Sequence, residues 1–188
     1  RSSDLYPQPP FDLSMFLEMT ENPQRMERQV TLIPNPGMFK INEMVVGVTT
    51  TDVVRHMIGG DTTKVAEGRK GMPMHRLPAH MWNQGSFYPL FPADRSACLD
   101  LAQSEHFEMK AKPDILICSS KLPASAAETE KVVLLNPGRL CLGAAGGTWA
   151  RVCVHPMDEQ QIQAARDNGE PLLAHDVYKR TGIEVIKI

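Results

Sequence analysis

Histidine and carboxylate side chains are the residues of this chain that could hold a catalytic metal ion. Hydrolysis assisted by one or two metal ions needs clustered Asp, His, Asn or Glu ligands. The 188-residue sequence contains six histidines: His56, His75, His80, His106, His155 and His175. None of them forms H-x-H, H-E-x-x-H or D-x-H, and the separation of His75 and His80 is a poor match to one helix face. The spacing therefore predicts no metal ligands.

Nucleophilic and phosphate-binding motifs are also missing from the sequence. There is no G-x-S-x-G elbow, and Ser119-Ser120 has no base nearby in sequence. Neither G-x-x-x-x-G-K-[ST] nor G-x-G-x-x-G occurs. The glycine-rich stretch 143–147 precedes a predicted strand, whereas loops that cradle anions follow a strand and open a helix. We interpret it as a tight connection, and the sequence predicts neither a catalytic site nor a cofactor.

The four cysteines point to packing rather than to metal binding. No two of them form a C-x-x-C pair, so a structural zinc site is not expected. Cys118 and Cys153 lie in apolar runs, which predicts reduced thiols packed as small hydrophobic groups. Reduced thiols are typical of proteins in a reducing compartment such as the cytosol or the nucleus.

Charge and hydropathy argue against two further classes. The 20 Lys and Arg are outnumbered by 22 Asp and Glu, which argues against direct DNA binding because that binding depends on basic side chains neutralising phosphates. No run approaches the roughly 18 apolar residues of a membrane span. The sequence opens on Arg1 and not on Met, so we expect a piece of a longer protein.

The first half of the chain is predicted to form three strands followed by three helices. Hydrophobic patterning and turn residues place the elements as follows: strands over 30–33, 38–41 and 44–48 in an antiparallel meander, then helices over 52–58, 77–82 and 96–107. Gly59-Gly60 is expected to end the first helix. Residues 61–71 are polar and contain glycine, which predicts a surface loop.

The second half contains runs typical of a buried sheet. Residues 114–118 and 132–135 are nearly all apolar, which predicts strands buried on both faces. Strands are also predicted over 148–154 and 183–188, with a helix over 157–168 between them. The pattern as a whole predicts an α/β sandwich.

Several sequence blocks closely resemble the B-subunit family of DNA polymerase α. They occur in this order: YPQPPF at 6–11, VVGVTTTDVV at 45–54, SFYPLFP at 86–92, PDILI at 113–117, NPGRL at 136–140 and GGTWAR at 146–151. Together they cover nearly the whole chain. The pairing of NPGRL with GGT favours polymerase α over the accessory subunits of the δ and ε polymerases.

The resemblance implies a fold and the loss of an old activity. It implies a two-sheet α/β sandwich of the calcineurin-like metallophosphoesterase type, inactive and incomplete in this chain. Active relatives carry Gly-His-x-His after the strand corresponding to 114–118, where this chain has Ser119-Ser120-Lys121. Gln84-Gly85-Ser86 stands where another histidine-bearing segment is expected. Residues 1–188 would form the C-terminal part of the phosphoesterase-like domain, with an OB-fold and an N-terminal domain outside the chain.

The same resemblance implies a scaffold role in DNA replication. The expected partner is the C-terminal zinc-binding region of the polymerase catalytic subunit, which would connect the chain to primase in the nucleus. Contact with DNA is expected only through the complex, and no contact with a membrane is expected. Trp82, Phe87 and Tyr88 are candidate partner contacts or, equally, core residues. Two alternatives are a metal-dependent phosphoesterase with its ligands in the missing N-terminal half, and direct DNA binding.

Overall fold

The computed structural model describes residues 5–10, 12, 14, 30–60, 76–169 and 174–188. The loop predicted over 61–71 lies outside these residues. Within the described ranges, no helix combines the length and the apolar character that a membrane crossing requires.

A five-stranded mixed sheet forms the centre of the structure. Its strands are β2 (Gly37–Ile41), β3 (Met44–Thr49), β5 (Ile115–Cys118), β6 (Ser125–Thr129) and β7 (Val132–Asn136). They lie in the order β2-β3-β5-β7-β6. Strands β3, β5 and β7 run parallel, while β2 and β6 pair antiparallel at the two edges. The strands predicted over 38–41, 44–48, 114–118 and 132–135 are therefore confirmed.

The parallel strands lie in the middle because their side chains are apolar on both faces. Leu116 and Leu134 face one hydrophobic cluster, which also contains residues of the helices. Ile115 and Val133, one residue earlier on the same strands, face a second cluster around Val177. All five residues of β7 are buried. A central strand covered on both sides reads as a continuous apolar run, which made β5 and β7 predictable.

Helices α1 (Val53–Gly60) and α2 (Ala79–Asn83) cover the first face of the sheet. Val53, Val54 and Met57 are buried, as their helical spacing predicted. Helix α2 enters at Pro78, which suits a first turn because proline has no N–H to leave unpaired. Both predicted helices are confirmed, with α2 shorter at its start.

The single helix predicted over 96–107 is wrong in its first part. Strand β4 (Cys98–Leu99) pairs in parallel with β1 (Leu5–Tyr6), and a 3₁₀ helix follows over Leu101–Phe107. Asp100 separates the two elements, since its carboxylate accepts a hydrogen bond from the Ala102 N–H at 3.1 Å. Its own N–H donates to the Tyr6 carbonyl at 3.0 Å, which continues the pairing with β1.

Two further predictions in the sheet region need correction. Residues 30–33 do not form a strand, and the adjoining backbone makes only a bridge between Gln8 and Asn35. Pro34 and Pro36 flank that bridge, and a proline cannot donate to a strand ladder. In contrast, β6 was not predicted, because the edge strand SAAET is only half buried and has no hydrophobic run.

A long hairpin forms a separate two-stranded sheet. Its strands β10 (Thr148–Val154) and β11 (Thr181–Lys187) pair antiparallel over seven residues each. Helix α3 (Glu159–Asp167) lies between them in sequence and ends before Gly169, which has φ +67°. All three elements were predicted. Val154 and Ile183 pack against the second face of the main sheet.

The glycine-rich stretch forms the predicted connection into β10. Strands β8 (Cys141–Leu142) and β9 (Ala145–Gly146) make a short hairpin there. A Cβ on Gly147 would come within 1.9 Å of the Arg139 carbonyl oxygen, so this position requires glycine. Cys118 is buried as predicted, but Cys153 is exposed, since it points away from the face that Val154 packs. Together these elements form a mixed α/β fold.

Candidate functional site at the carboxyl end of the parallel strands

The parallel strands β3, β5 and β7 all end at the same edge of the sheet, where α/β proteins usually bind ligands. Thr49 ends β3, Ser119 and Ser120 follow β5, and Asn136 ends β7. Asp52, at the start of α1, joins them. The hydrogen bonds of these polar groups decide whether any of them is free to bind a ligand.

Asp52 is held by the loop that follows β5. Its Oδ1 accepts a hydrogen bond from Ser120 Oγ at 2.5 Å. Its Oδ2 accepts from the Lys121 N–H at 3.0 Å and from Arg55 Nε at 3.2 Å. Backbone N–H groups at such a loop can bind a substrate anion. Here the Asp52 carboxylate accepts the hydrogen bond of the Lys121 N–H, so an internal contact closes this end of the sheet.

Asn136 is fully buried and uses its entire hydrogen-bonding capacity within the chain. Its Oδ1 accepts from the Ser120 N–H at 3.1 Å and from the Gly138 N–H at 3.0 Å. Its Nδ2 donates to the Leu122 carbonyl at 3.2 Å and to the Pro123 carbonyl at 3.1 Å. The side chain thus fastens the loop after β5 to the loop after β7. No lone pair is left for a metal ion.

The Asn-Pro-Gly turn that begins at Asn136 also positions the start of β10. Gly138 has φ +76°, and a Cβ there would lie 2.3 Å from Thr148 Oγ1. That hydroxyl donates to the Pro137 carbonyl at 2.8 Å. The glycine is therefore needed both for its backbone conformation and for the close approach of β10.

A second polar cluster beside α1 forms a closed ring of hydrogen bonds. His56 Nδ1 lies 3.2 Å from Tyr88 Oη, and His56 Nε2 lies 3.3 Å from Ser96 Oγ. Ser96 Oγ donates to Asp94 Oδ1 at 2.5 Å, and the Asp94 N–H donates to Tyr88 Oη at 3.2 Å. The bonds from Ser96 lower the pKa of Asp94, and burial raises the pKa of Tyr88. The ring fixes the loop between Tyr88 and Ser96 against α1.

The nucleophilic side chains near this edge are held in their neutral forms. Burial raises the pKa of the Cys118 thiol to about 12, with a further contribution from the negative charge of Asp52. Burial also raises the pKa of Tyr6, whose hydroxyl lies 3.0 Å from Thr49 Oγ1. A buried thiol without a nearby cation is unreactive, because the thiolate is the nucleophile. These groups therefore support the core.

The histidines are dispersed over the structure. His56 is buried in the ring, while His175 Nε2 lies 2.8 Å from Asp114 Oδ1 near the opposite end of β5. His80 is exposed on α2, and His75 lies outside the described residues. Within the part of the chain that the structure describes, no three His, Cys, Asp or Glu side chains converge to hold a metal ion.

The three candidate partner contacts all lie in the main hydrophobic core. Trp82, Phe87 and Tyr88 retain 8%, 1% and 6% of their surface exposure. The Trp82 Nε1–H reaches the surface and donates to Glu130 Oε2 at 2.9 Å. The structure thus places these side chains among the core residues, one of the two possibilities that the sequence left open. Partner binding by them stays a prediction.

Sequence reasoning recognised the Asn136 turn but missed the role of Asp52. The first-turn position of Asp52 suggested only an interaction with its own helix. Its actual partner Ser120 is 68 residues away in sequence, a separation that no local pattern reports.

Among the described residues, Asp52, Ser120 and Asn136 at this sheet end bond to groups of the chain itself. Comparison with known proteins gives the family. The chain belongs to the B-subunit family of DNA polymerases alpha and epsilon, whose model matches residues 1–127.

Similar curated proteins are named as the B subunit of DNA polymerase alpha. The Schizosaccharomyces pombe protein is 35% identical over 162 residues, which cover 82% of this chain and 27% of that protein. The Drosophila melanogaster protein is 32% identical over 154 residues, which cover 81% of this chain and 23% of that protein. The Rattus norvegicus protein is 31% identical over 149 residues, which cover 79% of this chain and 24% of that protein. The chain thus spans about a quarter of the length of these relatives.

Proposed function

We propose that this chain is part of a non-catalytic accessory B subunit of the DNA polymerase α complex and acts as a scaffold in DNA replication in the nucleus. The observation that carries the proposal is the family match over residues 1–127, together with relatives named as polymerase α B subunits. The closed sheet end supports the absence of catalysis. Ser120 donates hydrogen bonds to both Asp52 and Asn136, at the sheet end where a phosphoesterase would bind its metal ions.

The chain would form the C-terminal part of an inactive calcineurin-like phosphoesterase domain. The mixed five-stranded sheet and the separate β10–β11 sheet supply the two layers of a sandwich. The loop after β5 contains Ser119 and Ser120 in place of the histidines of active relatives. The relatives are about four times as long as the matched region. The full-length protein would therefore contain further domains, including an OB-fold.

The proposed partner is the C-terminal zinc-binding region of the polymerase catalytic subunit, which would connect the chain to primase. DNA would be contacted only through the complex, since the net charge of −2 gives little attraction for phosphates. The scaffold needs no cofactor of its own.

Co-purification tests this function directly. A tagged C-terminal region of the catalytic subunit should retain the chain in a stoichiometric complex through size-exclusion chromatography. A matched control is the same region with its zinc-binding cysteines replaced by serine. Failure of the intact region to retain the folded chain would contradict the scaffold role.

A phosphodiesterase assay supplemented with manganese tests the absence of catalysis. We expect no hydrolysis above the buffer rate. Hydrolysis that a chelator abolishes would contradict the proposal.

A further inference from the structure

We draw no further inference here: the strongest candidate, the edge of β11 that pairs with no other strand among the described residues and has the exposed Val185 beside it, carries nothing because the chain spans about a quarter of the length of its relatives and nothing in the structure shows what covers this edge.

Discussion

The Asp52 carboxylate accepts a hydrogen bond from Ser120 Oγ across 2.5 Å and joins the start of α1 to the loop after β5. The same carboxylate accepts a hydrogen bond from the Lys121 N–H, so one side chain holds the loop after β5 through two contacts. These contacts lie at the carboxyl end of the parallel strands, where α/β folds commonly bind ligands, and they join polar groups of the chain to one another.

Removal of the Asp52 carboxylate should destabilise the fold. We expect Asp52→Ala to lower the free energy of unfolding by about 2–3 kcal/mol, because hydrogen bonds to a charged group are lost and the Lys121 N–H is left without its acceptor. Denaturation by urea measures the change. Arg55→Ala is the control, since Arg55 is largely exposed and its ion pair with Asp52 should contribute less than about 1 kcal/mol. Equal effects of the two substitutions would show that the loop contacts of Asp52 are unimportant.

Asn136 should be among the most sensitive positions in the chain. Asn136→Ala removes four hydrogen bonds and leaves the buried Ser120 N–H unpaired. We expect a loss of about 3 kcal/mol or more in the free energy of unfolding, again measured by urea denaturation. Gln84→Ala, at an exposed position after α2, should change stability by less than about 0.5 kcal/mol. A small effect at Asn136 would mean that water replaces its bonds.

The contact between Trp82 and Glu130 should make stability depend on acidic pH. The hydrogen bond from Trp82, assisted by the Lys112 charge, lowers the pKa of Glu130 below its ordinary value of 4.5. The unfolded chain then binds the proton more tightly, so this contribution is present above about pH 4.5 and is lost as pH falls through the lower folded-state pKa. The stability difference between the wild type and Glu130→Gln should shrink over that range. Denaturation curves at a series of pH values measure it.

The exposed Glu43 provides the control for that titration. Its contact with Lys40 is an exposed surface pair at 3.4 Å, which contributes little to stability. We therefore expect Glu43→Gln to change the free energy of unfolding by less than about 1 kcal/mol. A Glu130→Gln curve parallel to the wild type would contradict the proposed link to Trp82.

The elements that were predictable from the sequence are those whose formation leaves a pattern in their own residues. Strand β7 has five buried residues in a row, so its sequence is a continuous apolar run. Strand β6 depends for its existence on pairing with β7, and its sequence SAAET carries no signal of that. Residues 30–33 show the reverse case, a β-branched run that finds no partner strand. Propensity selects a conformation only where tertiary pairing agrees with it.

The contacts of the candidate site were only partly predictable from the sequence. The Asn136 turn carries its own Pro-Gly signature. The ring of His56, Tyr88, Asp94 and Ser96 combines residues from α1 and from a loop about 40 residues later. Its formation follows from the packing of that loop on α1, which the linear sequence does not encode locally.

Phe87 distinguishes a core role from a partner-binding role. The side chain is 1% exposed and lies beside Gly47 of β3, 3.4 Å from the position of a Cβ there. We expect Phe87→Ala to lower the free energy of unfolding by about 3–5 kcal/mol, because truncation of a buried phenyl ring leaves a cavity. The folded fraction should bind the catalytic subunit with unchanged affinity. Binding titrations corrected for the folded fraction, monitored by circular dichroism, measure both quantities. A loss of affinity with stability unchanged would instead assign Phe87 to the interface and contradict its place in the core.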